Sequence, residues 1–188
     1  MLHEIVIAGF GGQGVMSMGQ LLAYAGLEEN KHVSWIPSYG PEMRGGTANC
    51  AISVADDPIS CPLVSEPDVL IVLNRPSLDK FEKDLKPGGL LILNSSLVSA
   101  EPSRSDIRVL KVPADDLANE KFNNLRIANM IIVGTLVRLT GVVAIPSLIE
   151  ALKKVLPERH HKLIPLNQQA LEFGVELVED NGLTVSGC

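Results

Sequence analysis

The chain has 188 residues, of which 46% are hydrophobic, 20% charged and 4% aromatic. That length and balance suit a globular fold with an aliphatic core and exclude a disordered chain. The net charge of −6 argues against electrostatic capture of nucleic acid, which needs many Lys and Arg near phosphates.

The first apolar run, Ile5–Ala8, is continuous rather than alternating, as expected for a strand covered on both faces. Gly9-Phe10-Gly11-Gly12-Gln13-Gly14 follows it, and Val15, Met18, Leu22 and Ala25 then mark one face of a helix. Strand, glycine turn and helix in that order satisfy the G-x-G-x-x-G pattern in the context that gives it meaning. Glycines permit positive φ and close backbone approach, and the helix start offers free N–H groups to an anion. The competing reading is a tight turn that binds nothing.

A second strand is expected over His32–Ile36. A dinucleotide site would need Asp or Glu at its end, and the sequence there is Pro37-Ser38-Tyr39, so an NAD site is disfavoured. The stretch Ser38-Tyr39-Gly40-Pro41-Glu42-Met43-Arg44-Gly45-Gly46 combines a glycine turn, one Glu, one Arg and a glycine pair. Its position predicts the same carboxyl edge of the sheet as the first glycine turn. Arg44 could fork onto a phosphate or carboxylate, or pair with Glu42 to hold the loop. From Thr47 to Val64 the pattern alternates (Ala48, Cys50, Ile52, Val54) and then meets Asp56-Asp57-Pro58. This reads as a strand, a turn and a second short strand, an antiparallel insertion after the second strand.

Val69–Leu73 and Leu90–Leu93 are two further buried strands, and Ile107–Val112 is another candidate. Leu78, Phe81 and Leu85 supply a helix between the first two. Asn74 stands at the carboxyl edge, where it either hydrogen-bonds a ligand or caps the next helix. Ile127–Thr140 is apolar nearly all round and predicts a buried helix, with Asn129 as its buried amide. An unpartnered buried amide costs about 1–3 kcal/mol, so Asn129 is expected to tie down the glycine loops. Ser147 is placed to cap a helix carrying Leu148, Leu152 and Val155, and Leu166, Ala170, Phe173 and Leu177 mark a last helix. His160-His161 reads as a solvated or interface turn.

Strands alternating with helices give an α/β fold over residues 1–188 as a single domain. The expected sheet is mainly parallel but mixed and twisted, with helices on its faces. Cys50, Cys61 and Cys188 lie far apart without a CxxC, which supplies neither a four-thiolate cluster nor a zinc site. Their odd number and the acidic start Met1-Leu2-His3-Glu4 predict a cytoplasmic chain without a secretory leader. The longest apolar stretches are interrupted by Arg138 and are too short for a membrane span.

Taken together, Gly9–Gly14 and Ser38–Gly46 resemble the gamma subunit of 2-oxoacid:ferredoxin oxidoreductases. The likeness continues through Asp68–Leu73, Lys86-Pro87-Gly88-Gly89-Leu90, and Ala128-Asn129-Met130 with Gly134. The resemblance implies a non-autonomous component of a complex with alpha, beta and in some cases ferredoxin-like delta subunits. Such a complex decarboxylates a 2-oxoacid on thiamine diphosphate and passes electrons through iron–sulfur clusters to ferredoxin. It releases an acyl-CoA. This chain has Asn123-Asn124 but no Gly-Asp-Gly before it, so thiamine diphosphate, Mg and clusters are expected on partner subunits. No catalytic residue and no metal ligand is expected here. The ligand- or partner-binding set is Gly9, Gly11, Gly12, Gln13, Gly14, Ser38, Tyr39, Gly40, Glu42, Arg44, Gly45, Gly46, Asn74 and Asn129, with CoA as a candidate ligand. A purely architectural subunit and an independent nucleotide-binding oxidoreductase are the alternatives.

Overall fold

The computed structural model describes residues 1–39, 46–179 and 185. The chain runs β1 (Leu2–Phe10), α1 (Val15–Glu28), β2 (His32–Tyr39), β3 (Thr47–Ala55), β4 (Val69–Val72), α2 (Arg75–Phe81), β5 (Leu90–Asn94) and β6 (Arg108–Val112). It continues through α3 (Ala114–Phe122), α4 (Ala128–Thr140), α5 (Ile145–Val155) and α6 (Ile164–Glu179). Short 3-10 turns cover Glu82–Asp84, Leu125–Ile127 and Glu158–Leu163.

The sheet has six strands in the order β2-β3-β1-β4-β5-β6. β1, β4, β5 and β6 are parallel, and β3 runs antiparallel to both β1 and β2. β1 and β2 therefore point the same way, and the loops after them leave from one rim. The mixed α/β sheet and the antiparallel β3 are as expected. The apolar runs of β4 and β5 are buried throughout, consistent with helices on both faces.

β3 shows why alternation predicted a strand. Ala48, Cys50, Ile52 and Val54 are buried beside α1 in the larger core, which also takes residues of α3, α4, α5 and α6. The other face carries a smaller core of Val6, Leu70, Val72, Leu91 and Leu93 beneath Leu78 of α2 and Leu85. Val15, Met18, Leu22 and Ala25 all turn inward, as their spacing requires.

Four details differ from the sequence reading. β1 extends through Gly9 and Phe10, so Gly9 is a strand residue rather than part of the turn. β2 reaches Tyr39, with Ser38 and Tyr39 paired to Asn49 and Ala48. The second short strand after Asp57 is absent: residues 56–68 form no strand, and Pro58, Pro62 and Pro67 remove three of the N–H donors a ladder would use.

The fourth concerns α5, which starts at Ile145 and places Ser147 inside its first turn. Its start is held instead by Glu29, the residue that follows α1, whose Oε1 accepts the Ala144 N–H at 2.6 Å. Among the described residues, no helix is long and apolar enough to cross a membrane.

Candidate functional site

The glycine turn is built by two left-handed residues, Gly12 at φ 103° and Gly14 at φ 82°. Gly14 caps α1, and a Cβ there would come within 2.5 Å of Asn129 Nδ2. Gln13 locks the turn from inside. Its Oε1 accepts the Phe10 N–H at 2.6 Å, and its Nε2 donates to the Leu73 carbonyl at 3.0 Å, joining the ends of β1 and β4. Gly9 makes room for this side chain, since a Cβ on it would sit 2.6 Å from Gln13 Oε1. Gln13 and Gly9 are thus committed to the fold of the turn.

The two glycine motifs meet. Gly11 donates its N–H to the Gly46 carbonyl at 3.0 Å, and Tyr39, 55% exposed, shares a shallow recess with Gly11, Gly12 and Gly14. Ser38 is exposed beside Tyr39. Gly40, Glu42, Arg44 and Gly45 lie outside the described residues. Asn74 resolves as a cap: its Oδ1 accepts the Ser77 N–H at 2.8 Å at the start of α2. Asn129 packs against Gly14, but its Oδ1 is buried without a hydrogen-bond partner, so it supports the turn by contact and not by a bond.

A cavity of about 620 Å³ opens above the carboxyl ends of β1, β4 and β5. Its floor holds the turn residues Gly12, Gln13 and Gly14, and the starts of α1, α3 and α4 all contribute to its walls. Sequence reading missed three of its polar residues. Asn94 ends β5 and Asp115 opens α3; Asn94 Nδ2 donates to Asp115 Oδ2 at 2.5 Å. Arg126 lies in the turn before α4 and has no ion-pair partner among the described residues. For Asn94 a signal existed, since a polar residue directly after an apolar parallel strand falls on this rim. Asp115 and Arg126 carry no comparable local signature.

The arrangement suits binding more than covalent chemistry. Free N–H groups at the start of α1 and the Arg126 guanidinium offer donors to an anion, while Asn94, Asp115 and Asn129 offer acceptors. Among the described residues, no three His, Cys, Asp or Glu side chains converge into a metal-binding group. Cys50 is sealed beneath α1 and burial pushes its thiol up to about 12, far from a reactive thiolate.

The sequence matches the pyruvate ferredoxin/flavodoxin oxidoreductase family over residues 4–177. It is 40% identical over 180 residues to the ketoisovalerate oxidoreductase subunit VorA of Methanothermobacter thermautotrophicus, covering 95% of this chain and 37% of that protein. The chain therefore spans little more than a third of that relative. The 2-oxoglutarate synthase subunit KorC of Methanocaldococcus jannaschii is 36% identical over 160 residues, covering 84% of this chain and 86% of that one. The crystal structure of a keto/oxoacid ferredoxin oxidoreductase gamma subunit from Geobacter sulfurreducens superposes with a TM-score of 0.77 at 30% identity. That match covers 93% of this chain and 96% of the other.

Proposed function

The chain belongs to the pyruvate ferredoxin/flavodoxin oxidoreductase family, and on that premise we propose that it is the gamma component of a cytoplasmic 2-oxoacid:ferredoxin oxidoreductase. In this reading residues 1–188 form one domain that works only with alpha and beta subunits, and with a ferredoxin-like delta subunit where one is present. The complex oxidatively decarboxylates a 2-oxoacid, passes the electrons to ferredoxin and releases an acyl-CoA.

Thiamine diphosphate with Mg supplies the electron sink for decarboxylation, and iron–sulfur clusters carry the electrons away. The donor set of this chain fits neither: its described residues offer no converging His, Cys, Asp or Glu group, and no Gly-Asp-Gly precedes Asn123-Asn124. Those groups are assigned to the partners. The residues of this chain bind and orient instead. Gly12 and Gly14 present backbone amides at the rim, Gly11 ties the turn to Gly46, and Ser38, Tyr39, Gly40, Glu42, Arg44, Gly45 and Gly46 of the second motif are the further residues proposed to take CoA phosphates or to face the partners.

The observation that carries this reading is the Gly11–Gly46 hydrogen bond, which joins both glycine motifs on one rim beside a cavity lined by Arg126, an arginine with no ion-pair partner among the described residues. Calorimetric titration with CoA, of this chain alone and with co-purifying subunits, tests it. Binding that weakens in Arg44→Ala supports the reading. Co-purification without CoA binding in either form supports a purely architectural subunit. Tight NAD binding or intrinsic turnover by the single chain overturns both.

A further inference from the structure

The two edges of the sheet are unlike. β6, at one edge, is five residues long and holds two cations, Arg108 and Lys111. Shortness and charge of that kind keep an edge from pairing with another chain. β2, at the other edge, runs eight residues from His32 to Tyr39 with no Asp, Glu, Lys or Arg, and its register with β3 is unbroken. Its one guard is Pro37.

The ladder decides which groups of β2 face outward. On β1 the carbonyls of Glu4 and Ala8 accept from Asp68 and Leu73, so even-numbered residues turn toward β4 and odd ones toward β3. The partners of those odd residues, Ala48, Cys50, Ile52 and Val54, are thereby taken up with β1. That leaves Asn49, Ala51, Ser53 and Ala55 to bond Ser38, Ile36, Ser34 and His32. Val33, Trp35, Pro37 and Tyr39 then point their main-chain groups away from the sheet, where no described residue meets them. Pro37 sits where its missing N–H costs the β3 ladder nothing.

This outward row is self-complementary about Ile36. In an antiparallel pair of two β2 strands with Ile36 opposite its own copy, Val33 and Tyr39 exchange both N–H···O bonds and Trp35 donates to the Pro37 carbonyl. Moving the two-fold axis to Trp35 would set Tyr39 opposite Lys31, whose N–H is already given to Gly26. Moving it to Pro37 would set two residues without donors face to face. The side chains agree with the first register. Ile36 meets Ile36, Tyr39 meets Val33 and Trp35 meets Pro37, with no like charges across the seam. An uncharged seam matters for a chain of net charge −6, whose copies otherwise repel.

We propose that two copies of this chain associate through β2, antiparallel and centred on Ile36, to give one continuous sheet across an isologous interface. The pairing covers an edge that nothing else in the described residues protects, and it is independent of the CoA reading.

Sedimentation of the purified full-length chain over a concentration series, with amide exchange read residue by residue by NMR, tests it. A dimer is expected, with the Val33, Trp35 and Tyr39 amides protected. Ile36→Lys sets two cations against each other at the axis and should give a monomer. In that monomer those three amides should exchange roughly tenfold faster or more, while Ser34 and Ser38 stay protected by β3. Tyr39→Pro removes an outward N–H that β3 does not use and should weaken the dimer by roughly tenfold. It keeps the test decisive should Ile36→Lys fail to fold. A wild-type chain that is monomeric at every concentration overturns the proposal. So does a dimer in which the three amides exchange freely, because its contact then lies elsewhere. Protection that appears only when co-purifying subunits are added assigns the edge to a partner strand and equally overturns it.

Discussion

Gly134 on α4 and Gly174 on α6 meet backbone to backbone: a Cβ added to either would lie 3.0 Å from the other's Cα. The same Cβ would fall 2.1 Å from the Leu171 carbonyl oxygen at Gly134, and 2.2 Å from that of Ile131 at Gly174. No side chain can rotate away from a main-chain oxygen, so only glycine permits this crossing. Gly134→Ala and Gly174→Ala should each destabilise the chain by about 1–3 kcal/mol through overpacking, despite the better helix propensity of alanine. Urea unfolding measures it, and an unchanged midpoint would mean the helices separate freely.

Gln13 makes two side-chain hydrogen bonds that hold the ends of β1 and β4 together under the glycine turn. Gln13→Ala leaves the Phe10 N–H and the Leu73 carbonyl without these partners and should cost about 1–3 kcal/mol. Gln13→Glu keeps the acceptor but loses the donor to Leu73. It should therefore fall between alanine and wild type at neutral pH only if the Phe10 bond dominates. Hydrogen exchange at the Phe10 amide reports that bond directly: protection should be lost in the alanine variant and kept in the glutamate variant.

Cys50 and Cys61 should differ sharply toward thiol reagents. Cys50 is fully buried, with Sγ 3.6 Å from the Val15 carbonyl, and burial raises its pKa to about 12; Cys61 is exposed. In a Cys188→Ser background at pH 8, one thiol should react at once and the other only as the chain unfolds. Equal rates would contradict the burial. The folded thiol holds its proton longer than the unfolded one, so this group's contribution to stability is complete below about pH 9 and declines as pH rises toward 12.

Glu29 titrates in the opposite direction. Burial alone would raise its pKa, but hydrogen bonds from the Ala144 N–H, Ser147 and Lys31 outweigh it and hold the carboxyl below its usual value of 4.5. A depressed folded pKa stabilises above the unfolded value and loses that contribution as pH falls through the folded one. Glu29→Gln should therefore be less stable than wild type at pH 7, with the gap narrowing below about pH 4. A gap that is constant from pH 7 to pH 3 would show that charge plays no part.

The misreadings share a cause. Ser147 has the right chemistry for a helix cap, yet the Glu29 carboxylate at the end of α1, more than a hundred residues earlier, holds the start of α5. The strand expected after Asp57 rested on the turn signal Asp56-Asp57-Pro58, while the alternation before it belongs to β3; a turn does not supply a pairing partner, and a strand exists only as part of a ladder. Asn74 was balanced between cap and ligand because both tasks ask for the same amide at the same place.

Periodicity and turn chemistry act within a few residues of themselves, and they determined the α/β class, the inward faces of α1 and β3, and the glycine turn that opens α1. Residue types alone also settled that these cysteines form no CxxC. The tertiary structure decided what those parts surround. Strand order brings the ends of β1, β4 and β5 together, and only then do Asn94, Asp115, Arg126 and Asn129 share one cavity. Their separation along the chain exceeds any local pattern, because what brings them together is the packing of helix starts over a common rim.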